Sequence, residues 1–338
     1  MLKRGAFVLG DGMKKFNKKS LTAEEQVELL QQNRGLYFDN ISEAVAIIKR
    51  IGYYHLSSYM RLFQFGEEHL FLPSAKFNDI LDLYNFDKEL RHITFKAIEK
   101  IEIAYRAAIS NILCKEFGSH WFYEFEVFID KFTKNEQGEE ETQQEHIIKL
   151  IEREIKKKKK KENEYAETFI GKYYTKYSEP PLPPFWMIAE TLSIGSLHRF
   201  YYSLIDKYKR QIISYLGFKE DATFIAIYSN WLQPICMVRN ICAHHSRLFN
   251  RKFRIKAKQH KQILEFANIP NDNFYYIAMI INYYLRTIAN DISFEQELIN
   301  LFQKYPNLDK KLLGFPNDWA RFNITRLQKH QLIKKCKK

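Results

Sequence analysis

The segment NDILDLYNFDKELRHITFKAIEKIEIAYRAAISNILCKEF, from Asn78 to Phe117, decides the fold class of this chain. Its apolar residues recur at intervals of three and four positions, and it contains no proline. They include Leu81, Tyr84, Phe86, Leu90, Ile93, Ala97, Ile98, Ile101 and Ala104. Because this spacing places side chains on one helical face, the segment predicts a single long amphipathic helix.

Helical signals continue on both sides of this segment. Thr22 and Glu25 have the spacing of a capping box, which predicts a helix that runs through Leu30. The Pro180, Pro181, Pro183 and Pro184 cluster must interrupt any helix, because proline lacks the amide donor. Further helices are expected over 42–51, 185–204 and 222–249, and an apolar and aromatic segment follows over 273–289. Without a convincing set of strands, the sequence predicts an all-α protein.

The composition indicates a basic protein with many aromatic residues. Of the 338 residues, 15% are aromatic, with 27 Phe and 21 Tyr, and the formal net charge is +13. Such a charge attracts polyanions, either nucleic acid or an anionic membrane surface. No apolar run reaches the ~18 residues that a membrane-spanning helix needs, and no signal-peptide pattern is present, so we expect a cytoplasmic protein without a membrane partner.

The cysteines do not suggest a disulfide framework or a structural zinc site. Cys114, Cys236, Cys242 and Cys336 are scattered and lack the paired spacing that such sites use. Cys242 and His244 could begin a metal site, but a second ligand pair with suitable spacing is missing. We therefore expect neither a metal nor another cofactor.

Charged residues dominate the segment 133–165. It contains an acidic stretch, Glu136 to Glu141, and six consecutive lysines from Lys156 to Lys161. Lys156, Lys157, Lys158 and Lys159 could bind RNA phosphates, but a solvated helical extension is equally consistent with the pattern. For Glu99, Glu102 and Arg106 in the long helix, a solvated ion-pair face is favoured over catalysis.

The segment from Trp231 to Arg251 holds the densest mixture of Arg, His and Asn in the chain. If it is helical throughout, with a kink or a late start at Pro234, one face carries Asn240, His244, Arg247 and Arg251. On that geometry His244 faces outward. His245 falls among apolar residues, so a buried and satisfied histidine is the favoured interpretation there.

Arg239 lies roughly 140° around the helix from His244, although its long side chain can swing toward a phosphate. One helix therefore offers an incomplete site, which two copies facing each other across a two-fold axis would complete.

Histidine can move the protons of the 2′-hydroxyl and the leaving oxygen, and arginine can stabilise the charged phosphorane. The candidate catalytic residues are Arg239, His244 and Asn240, for RNA cleavage that needs no metal. Because the 2′-hydroxyl attacks, DNA is not an expected substrate.

The bare spacing of Arg and His is weak support by itself. It also occurs at Arg50 with His55 and at Arg254 with His260, but only the central case has Asn after the Arg. The candidate RNA-binding residues are Arg247, Arg251, His245, Lys156, Lys157, Lys158 and Lys159.

The run from Arg239 to Arg251 resembles the signature of the Abi-like (AbiD/AbiF) abortive-infection family within the HEPN superfamily. Four other regions resemble that family in the same order: 21–26, 53–59, 86–91 with 98–102, and 184–195. The similarity spans about residues 20 to 255. It implies a HEPN-like helical bundle, a ribonuclease centre shared by a homodimer, and a toxin-like role in anti-phage defence. It also implies catalytic roles for Arg239 and His244, a positioning role for Asn240, and restraint by a small structured non-coding RNA.

The expected organisation has four parts. They are a flexible basic tail over 1–19, an N-terminal helical region over 20–75, a HEPN-like helical core over 76–260 with a charged helical insertion around 133–165, and a C-terminal helical region over 261–338. Two other functions remain open, an RNA-binding protein without catalysis and a helical interaction protein. Membrane association is less favoured, because the basic segments lack a matching apolar face.

Overall fold

The computed structural model describes residues 19–134, 138–159, 168–218, 222–259, 266, 269–317 and 319. These residues are mostly helical, which confirms the predicted all-α class. The predicted basic tail falls outside the described residues except for Lys19, and so does the end of the lysine run from residue 160 onward. The chain divides into two compact units, Met1–Tyr84 and Asn85–Lys338.

The first unit contains three short helices and a small hairpin. The helices are α1 (Ala23–Glu28, continued by a π-helical turn, Leu29–Asn33), α2 (Ile41–Ile51) and α3 (Tyr53–Met60), and strands β1 (Gln64–Phe65) and β2 (Leu70–Phe71) pair antiparallel. The predicted capping box is confirmed, because the Glu25 amide donates to Thr22 Oγ1 and the Thr22 amide donates to the Glu25 carboxylate. The aromatic segment after Gly52, for which the sequence did not predict secondary structure, is helix α3.

Helix α4 (Phe77–Phe117) confirms the single long helix predicted from the apolar spacing. The helices that follow are α5 (Gln143–Lys159), α6 (Phe169–Lys176), α7 (Phe185–Ala189), α8 (Ile194–Ser203), α9 (Asp206–Tyr215), α10 (Ala222–Ala243), α11 (Phe274–Ala289) and α12 (Ser293–Lys304). Strands β3 (Phe132–Lys134) and β4 (Glu140–Thr142) form a second short antiparallel hairpin. The described part of the chain contains no helix with the length and hydropathy needed to cross a lipid bilayer.

Aromatic side chains fill much of the core of the second unit. Every residue of α11 from Phe274 to Leu285 is buried. Tyr105 of α4 contacts Tyr284 through the two hydroxyls at 3.4 Å, and Tyr228 of α10 contacts Tyr283 at 3.0 Å. These contacts satisfy the hydroxyl groups that burial removes from water, so much of the high aromatic content serves packing.

Two helix predictions need correction. The segment 185–204 is not one helix, because it breaks after Ala189 and restarts at Ile194, where Ser193 Oγ caps the amide of Ser196. The helix predicted over 222–249 ends at Ala243. Pro234 lies inside it, and the following segment is turn and loop.

The charged insertion is more closely packed than its composition predicts. Glu141, at the end of the acidic stretch, is buried and pairs with Lys149 Nζ at 2.6 Å and His146 Nδ1 at 2.7 Å. Helix α5 buries Ile147, Leu150, Ile151 and Ile155. The predicted solvated character therefore holds for charged residues such as the exposed Glu140 and Lys156, and it is wrong for Glu141 and for the apolar face of α5.

Candidate active site

Helix α10 carries the first two candidate residues and is fixed by its buried face. Trp231, Leu232, Ile235 and Val238 are buried along it. The indole Nε1 of Trp231 donates to the carbonyl oxygen of Lys258 at 2.8 Å. This face holds the helix in the core, so that Asn240 is exposed and Arg239 is partly exposed.

The end of α10 explains why the predicted helical face with Asn240, His244, Arg247 and Arg251 does not form. The amide of Ser246 donates to the carbonyl of Ile241, and the amide of His245 donates to that of Cys242. His245 adopts the left-handed conformation, with φ of 53°. These two bonds form a Schellman closure, which reverses the chain and satisfies the last helical carbonyls. Arg247 and Arg251 therefore do not continue the helical face of Asn240.

His244 directly follows Ala243, the last residue of α10, and its side chain is exposed, as the sequence predicted. Its amide donates to the carbonyl of Asn240 at 3.0 Å. His245 is exposed as well, so the favoured interpretation of a buried histidine is wrong. The physical reason is the left-handed turn, which directs His245 away from the apolar face that a continuous helix would give it.

The segment after His244 is held by a buried carboxylate of α4. Asp87 accepts from the amide of Phe249 at 2.7 Å and from the amide of Leu248 at 3.1 Å, and it pairs with Arg91 one helical turn away. Asp87 and Arg91 are both buried, as are Leu248 and Phe249. Asp87 thus fixes the backbone that follows the candidate histidine.

Arg239 lies against a different part of α4. Its Nε is 3.9 Å from Glu102 Oε2, and its guanidinium carbon is 5.4 Å from the centre of the Phe95 ring. The side chain is 29% exposed, although its Nε is buried and, within the described residues, makes no hydrogen bond. Because the side chain is partly exposed and its contact with Glu102 is long, a phosphate can still approach it.

Glu102 belongs to a chain of charges that continues beyond Arg239. Its Oε1 accepts from Arg106 Nη2 at 3.2 Å, and Arg106 Nη1 lies 3.5 Å from Glu190. Burial raises the pKa of Glu102, while the charges of Arg239 and Arg106 act to lower it. The predicted ion pair of Glu102 and Arg106 is present, but it is mostly buried rather than solvated.

An open groove of about 430 Å³ lies beside the end of α10. Its lining residues are Gln233, Cys236, Met237, Asn240, Ile241, His244, Ser246 and Ile255. Arg239 is not among them, but Cys236 connects the two regions. Burial and the nearby Glu102 charge raise the pKa of Cys236 to about 12, and the Arg239 charge acts in the opposite direction. The structure thus brings Asn240 and His244 together in the lining of the groove. Arg239 and Glu102 are not in this lining, but their charges act on Cys236, which is part of it.

The other candidates lie apart from this groove lining. Arg251 is exposed and donates to the carbonyl of Arg247 at 3.3 Å, while Arg247 is partly buried. Lys156 and Lys157 are exposed on α5, where Lys157 pairs with Glu154. The side chains of Lys158 and Lys159 fall outside the described residues.

Sequence reasoning did not assign a role to Asp87 and favoured a solvated face for Glu102. Both residues lie in segments that carried the family resemblance, 86–91 and 98–102, and Glu190 lies in a third, 184–195. Their position in these family-like segments was the sequence signal that could have identified Asp87 and Glu102. Within the described ranges, no three His, Cys, Asp or Glu side chains are grouped so that they could hold a metal ion.

Comparison with curated proteins and with solved structures gives no match. The family model described as Abi-like protein matches residues 46–250, which is more than half of the 338 residues. This match covers Asp87, Glu102, Arg239, Asn240 and His244, and it supports a role related to abortive infection. The chain belongs to the Abi-like protein family.

Proposed function

We propose that this protein is a metal-independent endoribonuclease that acts in abortive-infection defence against phage. It cuts RNA by attack of the 2′-hydroxyl on the adjacent phosphorus and leaves 2′,3′-cyclic phosphate ends. The observation that carries the proposal is the exposed His244, which lines an open groove at the end of the helix that also carries Arg239. An exposed imidazole beside a groove can reach a bound backbone, which a buried core histidine could not do.

Each side chain has a role that follows from its chemistry. The His244 imidazole takes the proton from the 2′-hydroxyl or gives one to the leaving 5′-oxygen, since a histidine can do either near neutral pH. The Arg239 guanidinium donates to the phosphorane oxygens, where negative charge accumulates. Glu102 holds that guanidinium through the ion pair at 3.9 Å without using its Nε in a hydrogen bond. Asn240, exposed in the groove, orients the phosphodiester.

The complete centre is proposed to form between two copies of the chain. In one copy Arg239 packs toward Glu102 and Phe95, whereas His244 lies in the groove. One proton acceptor and one proton donor are needed, and a single copy brings one His244. A two-fold pair brings two histidines and two arginines to one phosphodiester.

A small structured RNA is proposed to restrain the enzyme. The net charge of +13 favours a polyanionic partner at physiological salt. If such an RNA is bound in cells, the purified protein will carry nucleic acid, which absorbs strongly at 260 nm. A protein purified in low salt without excess absorbance at 260 nm would argue against this partner.

The central test compares two neighbouring histidines. His244→Ala should reduce RNA cleavage by about 10²-fold or more, because it removes a proton-transfer group. His245→Gly is the matched control, since it removes the adjacent imidazole while glycine accepts the left-handed conformation with φ of 53°. Product ends are read by their resistance to ligation and by their conversion with a cyclic phosphodiesterase.

Two outcomes would contradict the nuclease. In the first, His244→Ala cleaves as fast as the wild type. In the second, a substrate with 2′-deoxyribose at the cut position is still cleaved there, which the proposed attack forbids. RNA binding without any cleavage by the wild-type protein would favour a binding module instead, in which Arg239 and His244 only contact phosphate.

A further inference from the structure

A second groove, of about 590 Å³, lies along α10 on the N-terminal side of the His244 groove. Its lining includes His198 and Tyr202 of α8, Asp206 and Lys209 of α9, Gln233 of α10, and Lys258. None of these residues has a role in the proposed cleavage. The groove combines ammonium groups with a histidine and an exposed tyrosine ring. A gap left by imperfect packing between helices would instead be lined mainly by apolar side chains.

The two grooves meet at Gln233, which lines both. Ser229 in the second groove and Asn240 in the first are eleven positions apart in the same helix. At about 1.5 Å per residue, this separation is ~16 Å along the axis. That is the length of about five stacked nucleotides at 3.4 Å each, and of fewer when the strand is extended. One short strand could therefore occupy both grooves.

Lys209 is a desolvated cation with a weak counter-charge. Its side chain is 10% exposed, and its Nζ is 3.6 Å from Asp206 Oδ1, whose side chain is 67% exposed. Burial lowers the pKa of Lys209, although the Asp206 charge acts to raise it. Because a buried charge is costly unless it is well paired, a phosphate in this groove would stabilise the ammonium group.

Tyr202 supplies an aromatic surface next to that charge. Its side chain is exposed, at 52% of the residue surface, and Lys209 Nζ lies 5.6 Å from its ring centre. The His198 ring is 6.2 Å away. An exposed ring beside a cation is the arrangement with which proteins stack unpaired bases and hold their phosphates.

His198 presents a fixed hydrogen-bond acceptor. Its Nε2 lies 3.2 Å from the carbonyl oxygen of Ser229. A carbonyl only accepts, so Nε2 donates and Nδ1 of the neutral ring carries the lone pair. Burial lowers the pKa of His198, which keeps this ring neutral at physiological pH. Nδ1 can therefore accept from the amino or imino group of a base.

Lys258 brings a second ammonium group from a well-anchored backbone. Its amide donates to Asn230 Oδ1 at 2.6 Å, and its carbonyl accepts from Trp231 Nε1 and from the Tyr276 hydroxyl. The side chain itself is exposed. Lys209 also lines the groove, and the exposed Arg199 lies close to His198. Among the charged residues described around this groove, these three cations outnumber the single carboxylate of Asp206. This excess of positive charge complements a phosphodiester strand.

We propose that this second groove is a subsite for an unpaired RNA nucleotide that lies next to the cleavage centre. The base stacks on Tyr202 and donates to His198, and the flanking phosphates contact Lys209 and Lys258. The proposal rests on the proposed ribonuclease function and names its substrate class, single-stranded RNA. A duplex would not fit this chemistry, because its bases are already stacked on each other and cannot reach the tyrosine ring.

The test measures binding with a strand that cannot be cut. A fluorescent single-stranded decamer with 2′-O-methyl groups at every position lacks the attacking hydroxyl, so anisotropy reports affinity alone. Tyr202→Ala should weaken binding by about 10-fold through the loss of one stacked base, and Tyr202→Phe should restore most of it. Tyr177→Ala is the matched control, since Tyr177 is 55% exposed outside both grooves and should leave affinity unchanged.

The salt dependence tests the phosphate contacts. Lys258→Gln should reduce the slope of log Kobs against log salt by about 0.7, the value for one phosphate contact with a single strand. Lys172→Gln removes an exposed lysine of α6 and should leave the slope unchanged. A fully paired duplex of the same ten nucleotides should compete at least 10-fold less well than the single strand.

Any of three results would overturn the subsite. They are wild-type affinity in Tyr202→Ala, equal competition by the duplex, and no detectable binding of the single strand by the wild-type protein. The nuclease proposal fails by a different result, which is full cleavage by His244→Ala of an ordinary RNA. Since the decamer reports binding without chemistry, the two failures can be told apart.

Discussion

Two arginine–carboxylate pairs that use a carboxylate of the long helix α4 differ in how completely they are closed. Arg91 and Asp87 are both buried, and Asp87 also accepts the amides of Leu248 and Phe249. Arg239 and Glu102 are 3.9 Å apart, and the arginine remains 29% exposed. The first pair uses its hydrogen-bonding capacity within the fold, whereas the second leaves a guanidinium that can bind a ligand. The same residue types thus serve stability at one end of the site and, in the proposed function, chemistry at the other.

The largest expected effect comes from opening the closed pair. Asp87→Asn should lower the free energy of unfolding by about 3 kcal/mol or more, because it removes the carboxylate charge that pairs with the buried Arg91. Urea denaturation measures the change. Asp82→Asn is the matched control on the same helix, where the carboxylate is exposed and the change should stay within about 0.5 kcal/mol. A loss below 1 kcal/mol in Asp87→Asn would show that this pair is not the structural one.

The loose pair should respond in the opposite way. Arg239→Lys should reduce RNA cleavage by about 10²-fold, because lysine keeps the charge but lacks the planar fork that binds two phosphate oxygens. Its urea midpoint should stay close to the wild-type value, since the ion pair with Glu102 is long and partly exposed. A urea midpoint well below the wild-type value would instead show that Arg239, like Arg91, stabilises the fold.

The turn between the two pairs predicts a smaller effect at His245. Histidine and alanine both carry a Cβ, which costs about 1 kcal/mol at φ of 53°, whereas glycine adopts this conformation freely. His245→Gly should therefore raise the melting temperature, and His245→Ala should leave it nearly unchanged. Equal destabilisation by both variants would mean that the imidazole, and not the backbone, carries the contribution of His245.

The smallest expected effect concerns pH and Glu102. Because burial raises its pKa in the folded state, the native protein binds the Glu102 proton more tightly than the unfolded chain does. This contribution makes the wild type less stable as pH rises from the ordinary glutamate value of 4.5. Glu102→Gln lacks this titration, so the stability difference should move in favour of the variant between pH 4.5 and pH 7 in urea denaturation. A difference that moves the other way would mean that Arg239 and Arg106 outweigh the burial.

Local patterns predicted some of these elements and missed others for identifiable reasons. The helix from Phe77 to Phe117 and the capping box at Thr22 depend on residues within a few positions of one another, and both are confirmed. The segment that follows α10 is held by the bond from the Phe249 amide to Asp87, and these two residues lie 162 positions apart. The sequence also has a histidine where this turn commonly has a glycine, so no local signal marked the helix end.

The candidate site shows the same division. Arg239, Asn240 and His244 could be selected from the sequence, because their residue types suit phosphate chemistry and their spacing matches a family pattern. The position of Glu102 beside Arg239 requires the packing of α4 against α10, which no periodicity encodes. The second groove combines residues of α8, α9 and α10 with Lys258, and it could not have been found from spacing.

Gln233, where the two grooves join, has a consequence for how the enzyme would turn over. An intact strand that spans both grooves is held at two places at once, and each contact raises the effective concentration of the other. Scission between them separates the strand into two pieces that each retain one set of contacts. Both pieces then dissociate faster than the uncut strand, so the reaction itself would release its products and free the protein for another encounter.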